Sequence, residues 1–414
     1  MPHDTPLITM LAMAFVIAFA FGFVARQFRL SPLVGYLLAG IAVGPHTPGY
    51  IADTVLAQQL AEVGVILLMF GVGLHFSTRD LMQVRWIAIP GALAQILVAS
   101  LLGFGVAQAF GWGIGAGIIF GLSLSVASTV VLLRAMEARG DLGNPESRIA
   151  VGWLIVEDIF MILALLLLPP LADTLGGRPS IYAGDNLLQN LALTVIKVAA
   201  FAGLALLVGK RVIPWLLAKV DATGSRELFT LAVLAAALGI AWGAATLFDV
   251  SFALGAFFAG MIMNESDLSH DAAQRSLPFQ DAFAVLFFVS VGMLFDPAIV
   301  TQAPLPLLAV LLIIIGGKSL AAFLIVLAFR HPLTTALTVS ASLAQIGEFS
   351  FILAGLGVSY GLLPEEGRDL VLAGALLSIA LNPLLFRLLR PVEAWLLARP
   401  DLLRRLGARD LPSD

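Results

Sequence analysis

The sequence predicts an all-α polytopic membrane protein with about thirteen transmembrane helices and an inverted internal repeat. Three observations carry this reading: the composition, the succession of apolar runs, and the placement of lysine and arginine. Of the 414 residues, 60% are hydrophobic and 12% are charged, about half the charged share of soluble domains. Mean hydropathy is +0.99. Such a chain cannot cover a water-facing surface with polar groups, so lipid is the solvent for most of it. The net charge of -4 is small and its sign uninformative; with no basic stripe with interleaved aromatics, no nucleic-acid partner is expected. With no cysteine, thiol catalysis, disulfides and zinc-thiolate sites are excluded, and five scattered histidines make no metal-ligand pair. No nucleophile and base constellation stands out, so the chain is not read as an enzyme.

Taken in order, the apolar runs cover residues 6–25, 31–43, 57–75, 86–109, 112–136, 148–168, 187–208, 227–248, 250–263, 278–294, 304–329, 334–358 and 367–389. A full helical crossing takes roughly 20 residues. The first run is read as a crossing, because it lacks a basic leader and runs into Arg26-Gln-Phe-Arg29. With the N-terminus outside, 19 of the 23 lysines and arginines fall on the cytoplasmic side. Only Arg178 and Arg368 fall outside, and Lys197 and Lys318 lie within crossings. One miscounted crossing would invert every later loop, so the asymmetry supports both number and orientation.

The repeat is weak but ordered. Ser31-Pro-Leu-Val-Gly35-Tyr-Leu-Leu-Ala39-Gly40 matches Ser251-Phe-Ala-Leu-Gly255-Ala-Phe-Phe-Ala259-Gly260 at an offset of 220. Val72-Gly73 with Phe76 matches Val291-Gly292 with Phe295 at 219, and Ser123 to Ala127 matches Ser340 to Ala344 at 217. The offset spans seven crossings. An odd number sends the second copy into the membrane from the opposite face, the arrangement of many secondary transporters.

Charge inside the crossings marks the candidate site. The sixth run places Glu157 and Asp158 side by side among apolar residues, roughly 14 Å into a core of ~30 Å. An acid at that depth costs about 3 kcal/mol and is functional by default. Neighbours on a helix point about 100° apart, so one acid can be pinned by a cation while the other faces water. Lys318, beside Gly316 and Gly317 in the eleventh run, is the candidate charge partner. The repeated segments place Ser125, Ser128 and Thr129 in the fifth run, and Ser342, Gln345 and Glu348 in the twelfth. Hydroxyls of this kind satisfy the backbone groups that a helix frees when it unwinds. Freed carbonyls and hydroxyls suit a hard alkali cation. Asp281, near the cytoplasmic start of the tenth run, is either an entry-path acid or a helix cap. Gly35, Gly40, Gly255 and Gly260 are read as packing positions.

On these residues the chain resembles the monovalent cation:proton antiporter-2 family, in its Kef-like branch and nearest the YbaL-type transporters. The carriers are Ser31 to Gly40, Gly64-Val-Ile-Leu-Leu-Met-Phe-Gly-Val-Gly-Leu-His75, Ala127-Ser-Thr-Val-Val131, Gly152-Trp-Leu-Ile-Val-Glu-Asp158, Ser251 to Gly260 and Ser342-Leu-Ala-Gln-Ile-Gly-Glu-Phe349. The likeness covers essentially the whole chain. It implies a sodium/proton antiporter fold of the NhaA type with two crossed, broken helices. It places a dimerisation part at about 1–56 and 187–263, and a core part at about 57–170 and 278–389.

Asp158 corresponds to the family's ion-binding aspartate, holding a monovalent cation or a proton, and Lys318 to its core lysine. Many relatives carry Asp-Asp, Asn-Asp or Gln-Asp where this chain has Glu157-Asp158. The resemblance implies exchange of cations, first potassium, for protons by a homodimer in a bacterial-type inner membrane, with no bound cofactor. A Na+/H+ antiporter and a ligand-gated cation efflux channel are the alternatives. A short basic tail is expected over 390–414, without the regulatory nucleotide-binding domain common in that branch.

Overall fold

The computed structural model describes residues 6–28, 30–48, 53–75, 78–140, 144–178, 187–248, 250–266 and 268–399. All thirteen expected runs are helical, and among the described residues no strand occurs. In chain order the helices are α1 (Pro6–Gln27), α2 (Pro32–Val43), α3 (Thr54–His75), α4 (Thr78–Ala109), α5 (Ile114–Ser125), α6 (Thr129–Arg139) and α7 (Pro145–Leu171). They continue with α8 (Leu187–Leu204), α9 (Lys210–Asp221), α10 (Arg226–Phe248), α11 (Phe252–Asn264), α12 (Ser269–Met293) and the single turn α13 (Ile299–Gln302). The last five are α14 (Pro304–Leu311), α15 (Lys318–Ala328), α16 (Leu333–Ser342), α17 (Glu348–Ser359) and α18 (Glu365–Leu397). Among the described residues, nine segments are long and apolar enough to cross a membrane, with α2, α11 and α17 as shorter apolar helices. The chain is a multi-pass membrane protein.

Two short helices start in the same way. Ser31 accepts from Leu33 N at 3.4 Å at the head of α2, where Pro32 supplies a preset φ. Ser251, its repeat equivalent, accepts from Leu254 N at 3.3 Å at the head of α11. The glycines of these segments permit backbone contact. A side chain at Gly40 would strike Val289 and Gly292 of α12, and one at Gly260 would strike Phe70 and Gly73 of α3. Gly40 and Gly260 are repeat mates, as are Gly73 and Gly292, so the two contacts exchange the copies. Phe76, the third member of that match, lies outside the described residues.

Packing sorts the helices into two bundles. α1, α2, α3, α10, α11 and α12 pack together, while α4 to α7 pack with α14 to α18. This departs from the expected division, which put 57–75 and 278–294 in the core part. The glycine contacts of α3 and α12 explain the difference, since their partners are α11 and α2. The seventh run is not one straight helix: α8 passes through a π-helical turn, Ala205–Gly209, into the amphipathic α9. A second π turn, Leu312–Gly317, directly precedes Lys318. The expected tail begins as helix, since α18 runs to Leu397, and residues 400–414 lie outside those described.

Candidate functional site

The fifth and twelfth runs are both interrupted midway. Between α5 and α6 the chain is non-helical over 126–128, and between α16 and α17 over 343–347, with every residue of both breaks buried. The breaks touch: a side chain at Gly347 would collide with Ser128. An interrupted helix exposes carbonyls at one end and N–H groups at the other, with partial negative and positive charge respectively. Each end here meets a group of the opposite character.

The carbonyl ends are served by donors. Gln95 of α4 donates to Ser125 O at 2.9 Å, and Trp153 in turn donates to Gln95 Oε1 at 3.4 Å. Lys318 Nζ donates to Gln345 O at 2.9 Å, and Asn382 of α18 donates to Ala341 O at 2.9 Å. Ser125 and Ser342 turn their hydroxyls back onto Leu122 O and Thr338 O, at 2.8 and 2.7 Å.

The amino ends are served by acceptors. Glu157 Oε2 accepts from Ala127 N at 2.8 Å, just before α6. Glu348 occupies the first turn of α17 and accepts from Ser128 Oγ at 2.8 Å. Ser128 N donates to Gln345 Oε1 at 2.9 Å, and Gln345 Nε2 returns a bond to Ser128 O at 3.1 Å.

Asp158 stands apart from this compensation. It is 3% exposed and accepts on Oδ2 from Thr129 Oγ1 at 3.0 Å, while its Oδ1 is buried with no hydrogen-bond partner. Its electrostatic neighbours are Glu348 and Glu157, both acids. Three buried carboxylates therefore share one region with a single buried ammonium. Lys318 and Glu157 interact electrostatically, but they do not form the close ion pair anticipated, because the lysine's hydrogen bond goes to the Gln345 carbonyl. Thr129 is the partly exposed member of the group.

Nine of the ten sequence-nominated residues thus meet at or beside the breaks. Asp281 does not. It is exposed on α12, well inside a helix that begins at Ser269, so it is not a cap. Gln95 and Asn382 were missed. Each is an amide in the middle of a largely apolar run, and that was the signal available.

A pair of broken helices crossing at buried carboxylates, within an all-helical membrane fold, defines a secondary ion transporter. The match to the family described as sodium/hydrogen exchanger, transmembrane, extends over residues 12–389. The chain belongs to that family, whose members are transporters rather than enzymes. It is 61% identical over 389 residues to the "Putative cation/proton antiporter YbaL" of Escherichia coli (strain K12), covering 94% of this chain and 69% of that protein. It is 34% identical over 362 residues to the K(+) efflux antiporter 4 of Arabidopsis thaliana, covering 87% of this chain and 60% of that one. The fold matches the sodium proton antiporter MjNhaP1 from Methanocaldococcus jannaschii with a TM-score of 0.71 at 17% identity, over 93% of this chain and 98% of that structure.

Proposed function

We propose that the chain exchanges potassium for protons across a bacterial inner membrane, with Asp158 holding a proton or a cation in turn. One observation carries this: Asp158 Oδ1 is buried without a partner in a region with more acid than base. Glu157 Oε1 is also unpartnered, but Glu157 is tied by its other oxygen to the start of α6, and Asp158 is tied to no helix end. A buried charge needs neutralising. A proton on the carboxyl does this in one state, and an alkali cation, with Thr129 Oγ1 adjacent, does it in the other. Glu157 and Lys318 supply fixed charge at the ends of the half-helices and keep the break geometry while Asp158 changes partner.

In the same reading, the α4–α7 and α14–α18 bundle moves against the other, and the two glycine contacts reflect an inverted repeat. The 34% identity to the K(+) efflux antiporter 4 of Arabidopsis thaliana supports potassium; sodium is the competing cargo. The N-terminus is assigned outside, and a homodimer through the α1 and α10 side of the second bundle belongs to this proposal.

The test is proton movement reported by a pH-sensitive dye in proteoliposomes of the full chain, after pulses of KCl, NaCl or LiCl. Potassium is expected to release protons from wild type and not from Asp158→Asn. Exchange by Asp158→Asn at the wild-type rate would sink the role of that residue. A response to sodium alone would replace the cargo.

A further inference from the structure

Two of the carbonyl donors at the breaks hold corresponding places in the chain. Gln95 lies in the fourth run and serves the break in the fifth, while Lys318 lies in the eleventh and serves the break in the twelfth. Their carbonyls are 30 and 27 residues further on, both bonds are 2.9 Å, and both side chains are fully buried. The two residues are 223 apart, close to the repeat offset. Their helices also touch, since a side chain at Gly317 would strike Leu102 of α4. One donor is an ammonium and the other is a neutral amide.

Gln95 closes a ring around the first break. Its Nε2 donates to Ser125 O and its Oε1 accepts from Trp153, whose ring fills the space left by Gly91 of α4. Trp153 interacts with Glu157, one helical turn further along α7, and Glu157 accepts from Ala127 N across the break. An ammonium at position 95 would stand in this ring, beside the acids. Among the described residues Lys318 is the sole buried ammonium, and Glu157 Oε1 and Asp158 Oδ1 are buried without a hydrogen bond.

We propose that Gln95 is a positioning residue of the ion site, the neutral counterpart of Lys318 in the other copy of the repeat, and that its lack of charge preserves the surplus acid which the transported cation or proton neutralises. This rests on Asp158 as the exchanging carboxylate, and it names what leaves that carboxylate in need of a cargo ion. The amide orders the carbonyl end of α5 as the lysine does in the second break, without adding a fixed charge. With a cation at both places the acid surplus shrinks, and the pull on either cargo ion weakens. A proton and an alkali cation carry the same charge, so one added fixed charge near a shared carboxylate weakens both by a similar factor.

The test is dye-reported exchange in proteoliposomes of the full chain, with apparent KM for KCl or NaCl, whichever releases protons from wild type, taken over a pH series. Thermal unfolding in detergent is measured alongside. Gln95→Lys keeps a donor for Ser125 O and adds the charge. Its KM is expected to rise by about tenfold at high pH, and the pH at which KM levels off to fall by about one unit. Gln95→Met loses both hydrogen bonds and adds no charge, so it should unfold at a lower temperature with the levelling-off pH unmoved. Exchanging the charge between the copies, Gln95→Lys with Lys318→Gln, keeps the total constant and is expected to recover part of the activity lost by Lys318→Gln alone. Wild-type KM and pH profile in Gln95→Lys overturn the inference, and so does an equal profile shift in Gln95→Met. Where Gln95→Lys does not fold, the exchanged pair decides, and no recovery over Lys318→Gln overturns the correspondence of the two places. An unshifted Gln95→Lys beside an inactive Asp158→Asn sinks the role of Gln95 alone, whereas wild-type exchange by Asp158→Asn sinks the reading beneath it.

Discussion

Ser128 and Gln345 hold each other by two hydrogen bonds across 217 residues of chain, amide to amide in both directions. That separation equals the offset between the serine patterns of the fifth and twelfth runs. The two breaks are therefore joined at equivalent points. One glutamine side chain satisfies the Ser128 N–H that the first break leaves unpaired and adds a second bond to the Ser128 carbonyl, which also accepts from Leu132 N at 3.2 Å. Glu348, three residues on, takes the Ser128 hydroxyl. The crossing is thus a closed polar knot, with Asp158 at its margin as the acid left over.

Gln345→Leu removes both bonds while nearly keeping the volume. It strands the buried N–H of Ser128, at a cost of about 1–3 kcal/mol, while the Ser128 carbonyl keeps its bond from Leu132 N. The apparent unfolding temperature in detergent is expected to fall by several degrees, and cation-driven proton release to be lost. Unchanged thermal stability would mean that water replaces the glutamine and that the joint is not structural.

Thr129→Val is the gentler probe of the ion site. It keeps the shape of the side chain and deletes the hydroxyl that reaches Asp158 Oδ2 at 3.0 Å. A hydrogen bond to a charged group contributes about 1.5–3 kcal/mol, so the apparent KM for the cation should rise by about tenfold or more. Concentration series of dye-reported exchange check this. A selective loss of maximal rate at constant KM would instead place Thr129 on the moving path.

The parts of this arrangement that were legible in the chain share one property: they are costly in lipid. Glu157, Asp158 and Lys318 stand out because an apolar run does not hold charge without a use. The breaks were legible because serine, glycine, glutamine and glutamate gather at two places related by the repeat. Gln95 and Asn382 were harder to read. An amide in a long helix is compatible with many partners, and theirs are carbonyls 30 and 41 residues away, freed only once the breaks exist. The bundle boundary was misplaced for a similar reason. Gly73 and Gly292 show that α3 and α12 pack closely, but sequence does not say against which helix. The π turn before Lys318 has no compositional mark beyond its glycine pair.

Lys318 and Glu157 are coupled through the ends of the half-helices more than through direct contact. Lys318→Met leaves the Gln345 carbonyl without its donor, at a cost of about 1–3 kcal/mol, and leaves Glu157 without a nearby positive charge. Glu157→Gln keeps an acceptor for Ala127 N and removes the charge. The double variant is therefore expected to unfold at a higher temperature than Lys318→Met alone. Strictly additive effects of the two changes would show that the charges do not sense each other.

Competition at one carboxylate also dictates the pH dependence. If a proton and a cation exclude each other at Asp158, raising the pH removes the competitor, so the apparent KM for the cation falls as pH rises and levels off once protons no longer occupy the site. On the acid side of that plateau, one competing proton changes apparent KM by about tenfold per pH unit, by linkage between the two ligands. At saturating cation the maximal rate should change far less. The measurement is cation-induced exchange in proteoliposomes over a series of pH values, with both faces at equal pH before each pulse. A KM that stays constant while the maximal rate titrates would place the transported proton on a group other than the cation-binding aspartate, with Glu157 and Glu348 as the remaining buried acids at the crossing.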